Sequence, residues 1–260
     1  MHERILSDRD LWMLIAAGHL NLRGADLSGA QLERANLAGA DLERAVLRGA
    51  NLAGATLKGA NLAGADAAGA DLKSVVLTGA NLTEAYLQGA MLWGAYLGNA
   101  TLEWAYLEGA YLEWASLSGA ALTGAFLKGA NLTGADLTRA QMKGANLTGA
   151  HLRGADLREA SLEWAALEWT QLGGAQLGGA ELRGANLTGA DLGSANLQGA
   201  SLCSAVLRGA DLSGADLRDA DLRDAELERA ELSGARVSAE QLRHARGVPA
   251  QWAAPDAARG

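Results

Sequence analysis

The side chains of this 260-residue chain that are best suited to chemistry are few and scattered. Its four histidines are His2, His19, His151 and His244, far apart along the sequence. A metal site or a nucleophile–base pair needs such groups gathered at one place, and no local spacing here gathers them. Cys203 is the sole cysteine, so no internal disulfide forms. No histidine stands near it to activate its thiol. Carboxylates are plentiful but evenly spread, the pattern of a solvated surface rather than of an acid–base pair. Glycines recur at a fixed short spacing that serves turns, not the cradling of phosphate. The sequence therefore predicts no catalytic residue, no metal ligand and no cofactor.

Two clusters are better suited to recognition. The first is an aromatic belt of Tyr86, Met91, Trp93, Tyr96, Trp104, Tyr106, Tyr111, Trp114 and Phe126, with Trp164 and Trp169 as a smaller second group. Trp and Tyr facing solvent at this density resemble interface anchors. Stacking of Tyr86, Tyr106 and Phe126 into a packing ladder is the alternative, and a membrane or sugar surface is a third reading. The second cluster is acidic: Asp211, Asp216, Asp219, Asp221, Asp224, Glu226, Glu228 and Glu231, interrupted by Arg218, Arg223 and Arg229.

What positions these residues is an internal period of five. From Leu22 to Leu232 every fifth residue is leucine, except Ala67 and Met142. Two residues before each leucine stands alanine, from Ala25 to Ala235, except Val75 and Thr170. Five residues rotate about 500° on an α-helix, so a helix would spread the leucines over every face. On a flat strand each step of five flips the side chain to the opposite face. A chain that turns a corner once per repeat buries both columns along one axis and points the other three positions outward. The second residue after the leucine is glycine in 27 of 43 repeats, as a tight corner favours. Asn and Asp before the leucine bond nearby backbone and also favour turns.

Runs such as Ala130-Asn131-Leu132-Thr133-Gly134 and Ala210-Asp211-Leu212-Ser213-Gly214 resemble the A(D/N)LXX motif of the pentapeptide-repeat family, over roughly residues 20–237. The resemblance implies an all-β fold, a right-handed quadrilateral parallel β-helix of about eleven coils with 20 residues in each. Spacing alone does not reach four sides: Tyr86, Tyr106 and Phe126 lie 20 apart, but Tyr96, Tyr111 and Phe126 lie 15 apart. On a 20-residue coil, Lys143, Glu163 and Arg183 fall on successive rungs. So do Arg139 with Glu159, Glu108 with Lys128, and Arg208 with Glu228.

Open solenoid ends need lids. Residues 1–21 read as a capping helix and lead-in, with a helix over 8–17 capped by Ser7 or Asp8 and covering the first coil with Leu11, Trp12, Leu14 and Ile15. Residues 22–237 form the repeat. Residues 238–260 read as a second helix over 239–246, started by Ser238 and Gln241, followed by a frayed tail in which Trp252 packs back. The apolar run from Leu11 to Ala17 is too short to span a bilayer, and no cleavage site follows a basic start. Together with the single cysteine, this predicts a cytoplasmic protein.

A net charge of −8 argues against direct nucleic-acid binding, which calls for a basic surface. Some members of the family mimic B-DNA and shield a type II topoisomerase from quinolones or other poisons. The resemblance thus implies DNA gyrase or topoisomerase IV as a partner, a role in antibiotic resistance, and a homodimer joined through the C-terminal end. The alternative is a generic protein-interaction scaffold that uses the aromatic belt.

Overall fold

The computed structural model describes residues 7–250 and Trp252. His2 and the last eight residues of the predicted frayed tail lie outside them.

Each repeat is built from one β-bridge residue and one turn. In the repeat Tyr111-Leu112-Glu113-Trp114-Ala115, the Ala115 amide donates to the Leu112 carbonyl at 3.1 Å and closes a four-residue turn. The third turn residue is left-handed while the second is not, the pattern of a type II turn. This holds at every corner from Gly24 to Gly234, whether glycine occupies it or not: Arg34, Glu84, Trp114 and Asp219 all have φ between 51° and 60°. The fold therefore imposes the left-handed corner, and glycine is its commonest occupant because it pays no Cβ penalty there.

Three backbone hydrogen bonds join each repeat to neighbouring coils. Around Leu112 they are Tyr111 N–H to Ala90 at 3.0 Å, Leu112 N–H to Asn131 at 2.6 Å and Trp114 N–H to Thr133 at 3.1 Å. All bridges are parallel and join residues 20 apart. They form four ladders, which begin at Asn21, Asp26, Gln31 and Asn36 and define the first to fourth faces. The β character thus lies in single-residue bridges, because the chain turns again before a second residue can pair. The coil has four sides, the choice that sequence spacing left open.

Both aliphatic columns are buried apart from the terminal Ala25 and Ala235, which are half-buried, and the substitutions Ala67, Val75 and Met142 are buried with them. Fully burying each leucine contributes roughly 1.5–3 kcal/mol. Thr170, buried in the alanine column, donates its hydroxyl to the Leu167 carbonyl, as expected of a polar group in the core. Ala67 and Val75 stand on the second and fourth faces of one coil. Nearby, the Gly49 N–H to Ala68 bond lengthens to 3.4 Å, against 2.8 Å for the adjacent Gly54 to Lys73 bond.

Helix α1 spans Asp8–Ala16, with Ser7 as N-cap and Asp10 completing a capping box. Leu11 and Ile15 are buried against the first coil, Leu14 is half-buried and Trp12 is 39% exposed. The Trp12 Nε1–H donates to the Gln31 carbonyl at 2.9 Å, and Asp8 Oδ1 accepts the Gln31 N–H at 3.1 Å. Elsewhere in the rod, backbone groups of the preceding coil make these two bonds. Two side chains of α1 thus stand in for a missing rung.

Helix α2 spans Ala239–Leu242, with a capping box from Ser238 and Gln241. It is shorter than the 239–246 predicted, because the chain returns to the ladder: Arg246 bridges Glu226 and its N–H donates to Ala225 at 2.7 Å. Gln241 Nε2 donates to Leu217 at 2.6 Å and Ala220 at 3.0 Å, so at this end a side-chain amide also supplies donors to the last coil. Leu242 keeps the leucine register and is buried. Trp252 packs against the end of the core, half-buried.

Candidate binding surface

The 20-residue register distributes the aromatic belt over three faces and two corners. Tyr86, Tyr106 and Phe126 fall on the second face and stack, with ring centroids 4.9 and 5.0 Å apart. The packing ladder weighed as an alternative is therefore present in these three residues. Met91 and Tyr111 bridge on the third face, and Tyr96 lies on the fourth. Trp104 occupies the corner between the first and second faces. Trp93 and Trp114 share the corner between the third and fourth. The belt is thus not one flat patch. Most of it lies on two adjacent faces and their flanking corners, and Tyr96 turns away from these.

Exposure within the belt is uneven. Trp114 is 66% exposed and Trp104 52%, whereas Met91, Tyr106 and Phe126 are half-buried. The four corner tryptophans, Trp104, Trp114, Trp164 and Trp169, share one local arrangement. Each is left-handed, follows a glutamate in a Leu-Glu-Trp run, and rests against a glycine 20 residues on. A Cβ at Gly124, Gly134, Gly184 or Gly189 would come closer than 3.0 Å to the indole. The left-handed corner aims its side chain along the rod, so a bulky residue there needs glycine beneath it.

The glutamates before Trp114 and Trp169 are held as well. Glu113 accepts from Asn131 Nδ2 and Glu168 from Asn186 Nδ2, each at 2.6 Å. Oε2 of Glu113, and of Glu108 on the next corner, is buried with no hydrogen-bond partner in the chain.

The acidic cluster winds around all four faces, and most of it is neutralised. Asp216 pairs with Arg218 at 2.5 Å and with Arg236 at 3.5 Å, Asp221 with Arg223 at 2.6 Å, and Asp224 with Arg246 at 2.7 Å. Arg208 pairs with both Glu226 and Glu228, at 2.8 and 3.4 Å. Asp211 and Glu231 accept from Ser213 and Ser233, and Asp219 meets Gln198 at 3.5 Å. The Arg218 hydrogen bond, with Arg236 adding its charge, lowers the Asp216 pKa to about 2. Arg223 lowers that of Asp221, and the serine hydrogen bonds lower those of Asp211 and Glu231.

Of the charge rungs expected from the register, Arg139–Glu159 forms at 2.7 Å and Arg208–Glu228 at 3.4 Å. Among the described residues no ion pair joins Glu108 to Lys128, or Glu163 to Lys143 or Arg183. Glu163 instead accepts from Ser161 two residues away.

A feature missed in the sequence lies in the belt itself. Between Lys73 and Lys128 there is no Lys, Arg or His, yet Glu84, Glu103, Glu108 and Glu113 fall there, along with all nine belt residues. Among the described residues these four carboxylates make no ion pair. The net charge of −8 conceals this gap, because bases elsewhere in the chain offset acids elsewhere.

No group of His, Cys, Asp and Glu among the described residues has a metal-binding arrangement. His151 bridges on the third face and is exposed. Cys203 is half-buried, its Sγ 3.8 Å from the Ser204 hydroxyl. Among the described residues no helix is long and apolar enough to cross a membrane.

Comparison with known proteins bears on the fold. The profile of the Pentapeptide repeats family matches residues 25–64, 40–79, 55–94, 95–134, 135–172, 165–202 and 202–238. The crystal structure of HetL, a pentapeptide repeat protein involved in heterocyst differentiation regulation in the cyanobacterium Nostoc sp. strain PCC 7120, is 36% identical. The match covers 87% of this chain and 96% of HetL, with a TM-score of 0.66. A pentapeptide repeat protein of the Arabidopsis thaliana thylakoid lumen is 35% identical over 35% of this chain and 63% of its own, with a TM-score of 0.34. QnrB1, a plasmid-mediated fluoroquinolone resistance protein, is 19% identical over 77% of this chain and 88% of its own, with a TM-score of 0.36. A comparison with curated protein sequences found no match.

Proposed function

This chain belongs to the pentapeptide-repeat family, with its right-handed β-helix, and on that premise we propose that it is a non-enzymatic rod that binds a protein partner through its aromatic belt. One observation carries the reading. Within two coils the rod exposes Tyr86, Trp93, Tyr96, Trp104, Tyr111 and Trp114, each between 43% and 66%. The rod's core is already filled by leucine and alanine, so these rings add nothing to it. Aromatic side chains on a rigid backbone lose little entropy on binding, which suits them as anchors. The test is a quantitative pull-down with wild type and with a Trp104→Gly/Trp114→Gly double variant. Glycine is the usual corner residue, so the coil is preserved. Loss of a partner captured by wild type supports the reading; an unchanged partner set returns the tryptophans to a packing role.

Topoisomerase protection is the second reading, supported by the rod shape and the net charge of −8. About eleven coils at roughly 4.8 Å each make a rod about 50 Å long, and a duplex of that length carries roughly 30 phosphate charges. The acidic end offers fewer free carboxylates than its sequence suggests, because arginines pair with Asp216, Asp221, Asp224, Glu226 and Glu228. A gyrase supercoiling assay with ciprofloxacin, with and without the protein, tests this reading. Neither protection nor inhibition at micromolar protein removes it.

A further inference from the structure

We infer that the partner bound by the aromatic belt presents an arginine-rich segment, and that this segment docks on the second and third faces of the coils formed by residues 81–120. The inference rests on the binding-surface reading above and adds the chemistry of the partner.

The belt's charge is complementary to a basic ligand. The 54 residues between Lys73 and Lys128 carry four glutamates and no base. Elsewhere on this rod many carboxylates are answered by a cation, Asp66 by Arg48, Asp156 by Arg158 and Glu159 by Arg139 among them. Here they are left without a cation, at the place where exposed aromatic rings are densest. Two Glu-Trp steps, Glu103-Trp104 and Glu113-Trp114, flank these faces. Glu108 stands on the corner between them, and Tyr111 bridges on the third face, 51% exposed. Oε2 of Glu108 and of Glu113 has been taken out of water without gaining a hydrogen bond. A buried carboxylate oxygen without a donor is costly, and a cation brought alongside relieves that cost.

Exposed indole and phenol rings beside carboxylates favour a guanidinium over an ammonium. Guanidinium is planar, stacks on aromatic rings and is weakly hydrated. A nucleic acid is excluded from this surface by like charge. The second tryptophan group differs: Arg153, Arg158 and Arg183 lie close to Trp164 and Trp169 in sequence. Those two corners repeat the Glu-Trp step with arginines close by along the chain.

The test uses the full chain and a fluorescently labelled nona-arginine peptide, followed by anisotropy, with nona-lysine and spermine as comparisons. Tyr111→Asn and Trp114→Gly place at these positions the residues found one coil further on, Asn131 and Gly134, so the rod is preserved. Glu113→Gln keeps an acceptor for Asn131. Circular dichroism checks the fold of each variant. The expected result is saturable nona-arginine binding, weakened about three- to fivefold by each of the three substitutions. Trp169→Gly and Asp219→Asn leave it unchanged, and nona-lysine and spermine bind more weakly. The inference is overturned by the absence of saturable binding, by equal binding of nona-lysine or spermine, or by equal losses in the two distant variants. If the peptide does not bind while Trp104→Gly/Trp114→Gly still abolishes capture of a partner, the surface stands and only its basic ligand is wrong.

Discussion

The indole of Trp164 rests against Gly184, one coil further along the rod, where a Cβ would come closer than 3.0 Å to three ring carbons. Both residues are left-handed, with φ of 58° and 64°. Gly184→Ala therefore carries two costs: the left-handed strain of about 1–2 kcal/mol and displacement of the indole. Gly149→Ala, at φ 66° with nothing within 4 Å of its Cβ, carries only the first. We expect Gly184→Ala to be clearly more destabilising in urea denaturation, and Trp164→Gly to cancel the excess. Equal losses at the two glycines would show that the indole does not depend on that contact.

The ends depend on borrowed donors. Gln241→Ala leaves the Leu217 and Ala220 carbonyls without the side-chain amide, and Trp12→Phe removes the bond to Gln31. Each lost bond costs on the order of 1 kcal/mol, felt locally because coils interact only with their neighbours. Hydrogen exchange is expected to quicken in residues 215–235 for the first variant and 21–36 for the second, with coils 101–140 unaffected. Uniform acceleration along the rod would contradict a lid role.

How much of this was legible can be read from particular residues. The leucine and alanine columns announced the buried axis, and Ser238 with Gln241 announced a helix start. The number of sides was not legible, since a five-residue unit specifies a corner and not how many corners close a coil. The Glu163 rungs to Lys143 and Arg183 failed for a related reason: register places long side chains near each other without choosing between them and closer partners, and Glu163 takes Ser161. Arg158 takes Asp156, and Arg218 takes Asp216, each two residues away on its own turn. The aromatic belt was legible as composition, but its division among faces follows only from the 20-residue coil.

Acid should loosen the C-terminal coils first. Asp216 is lowered from 3.8 to about 2, chiefly by Arg218. A carboxylate whose pKa is depressed by folding stabilises the native state fully above its unfolded pKa, and that contribution disappears as pH falls through the folded value. Melting temperature is thus expected to change little from neutrality to about pH 4 and to drop between about pH 4 and 2. Asp216→Asn should flatten part of that drop. An identical acid profile in the variant would remove Asp216 from the account.

Ala67 and Val75 break the two columns within a single coil. Restoring both with Ala67→Leu/Val75→Ala returns the coil to the repeat pattern and is expected to raise stability by up to about 2 kcal/mol. The double variant should gain more than the sum of the singles, because Val75 opposes a full-sized leucine at 67. Strict additivity in denaturant titrations would show that the two departures are unrelated.

The 20-residue register also makes the rod an indexing device. Loss of one five-residue unit between Trp114 and Trp164 would swing Trp164 and Trp169 by a quarter turn relative to Trp104 and Trp114. Loss of four units would leave every heading unchanged and draw the two tryptophan groups closer by one rung, about 4.8 Å. Descendants of this gene that keep both groups on their present bearings can therefore lengthen or shorten only in whole coils.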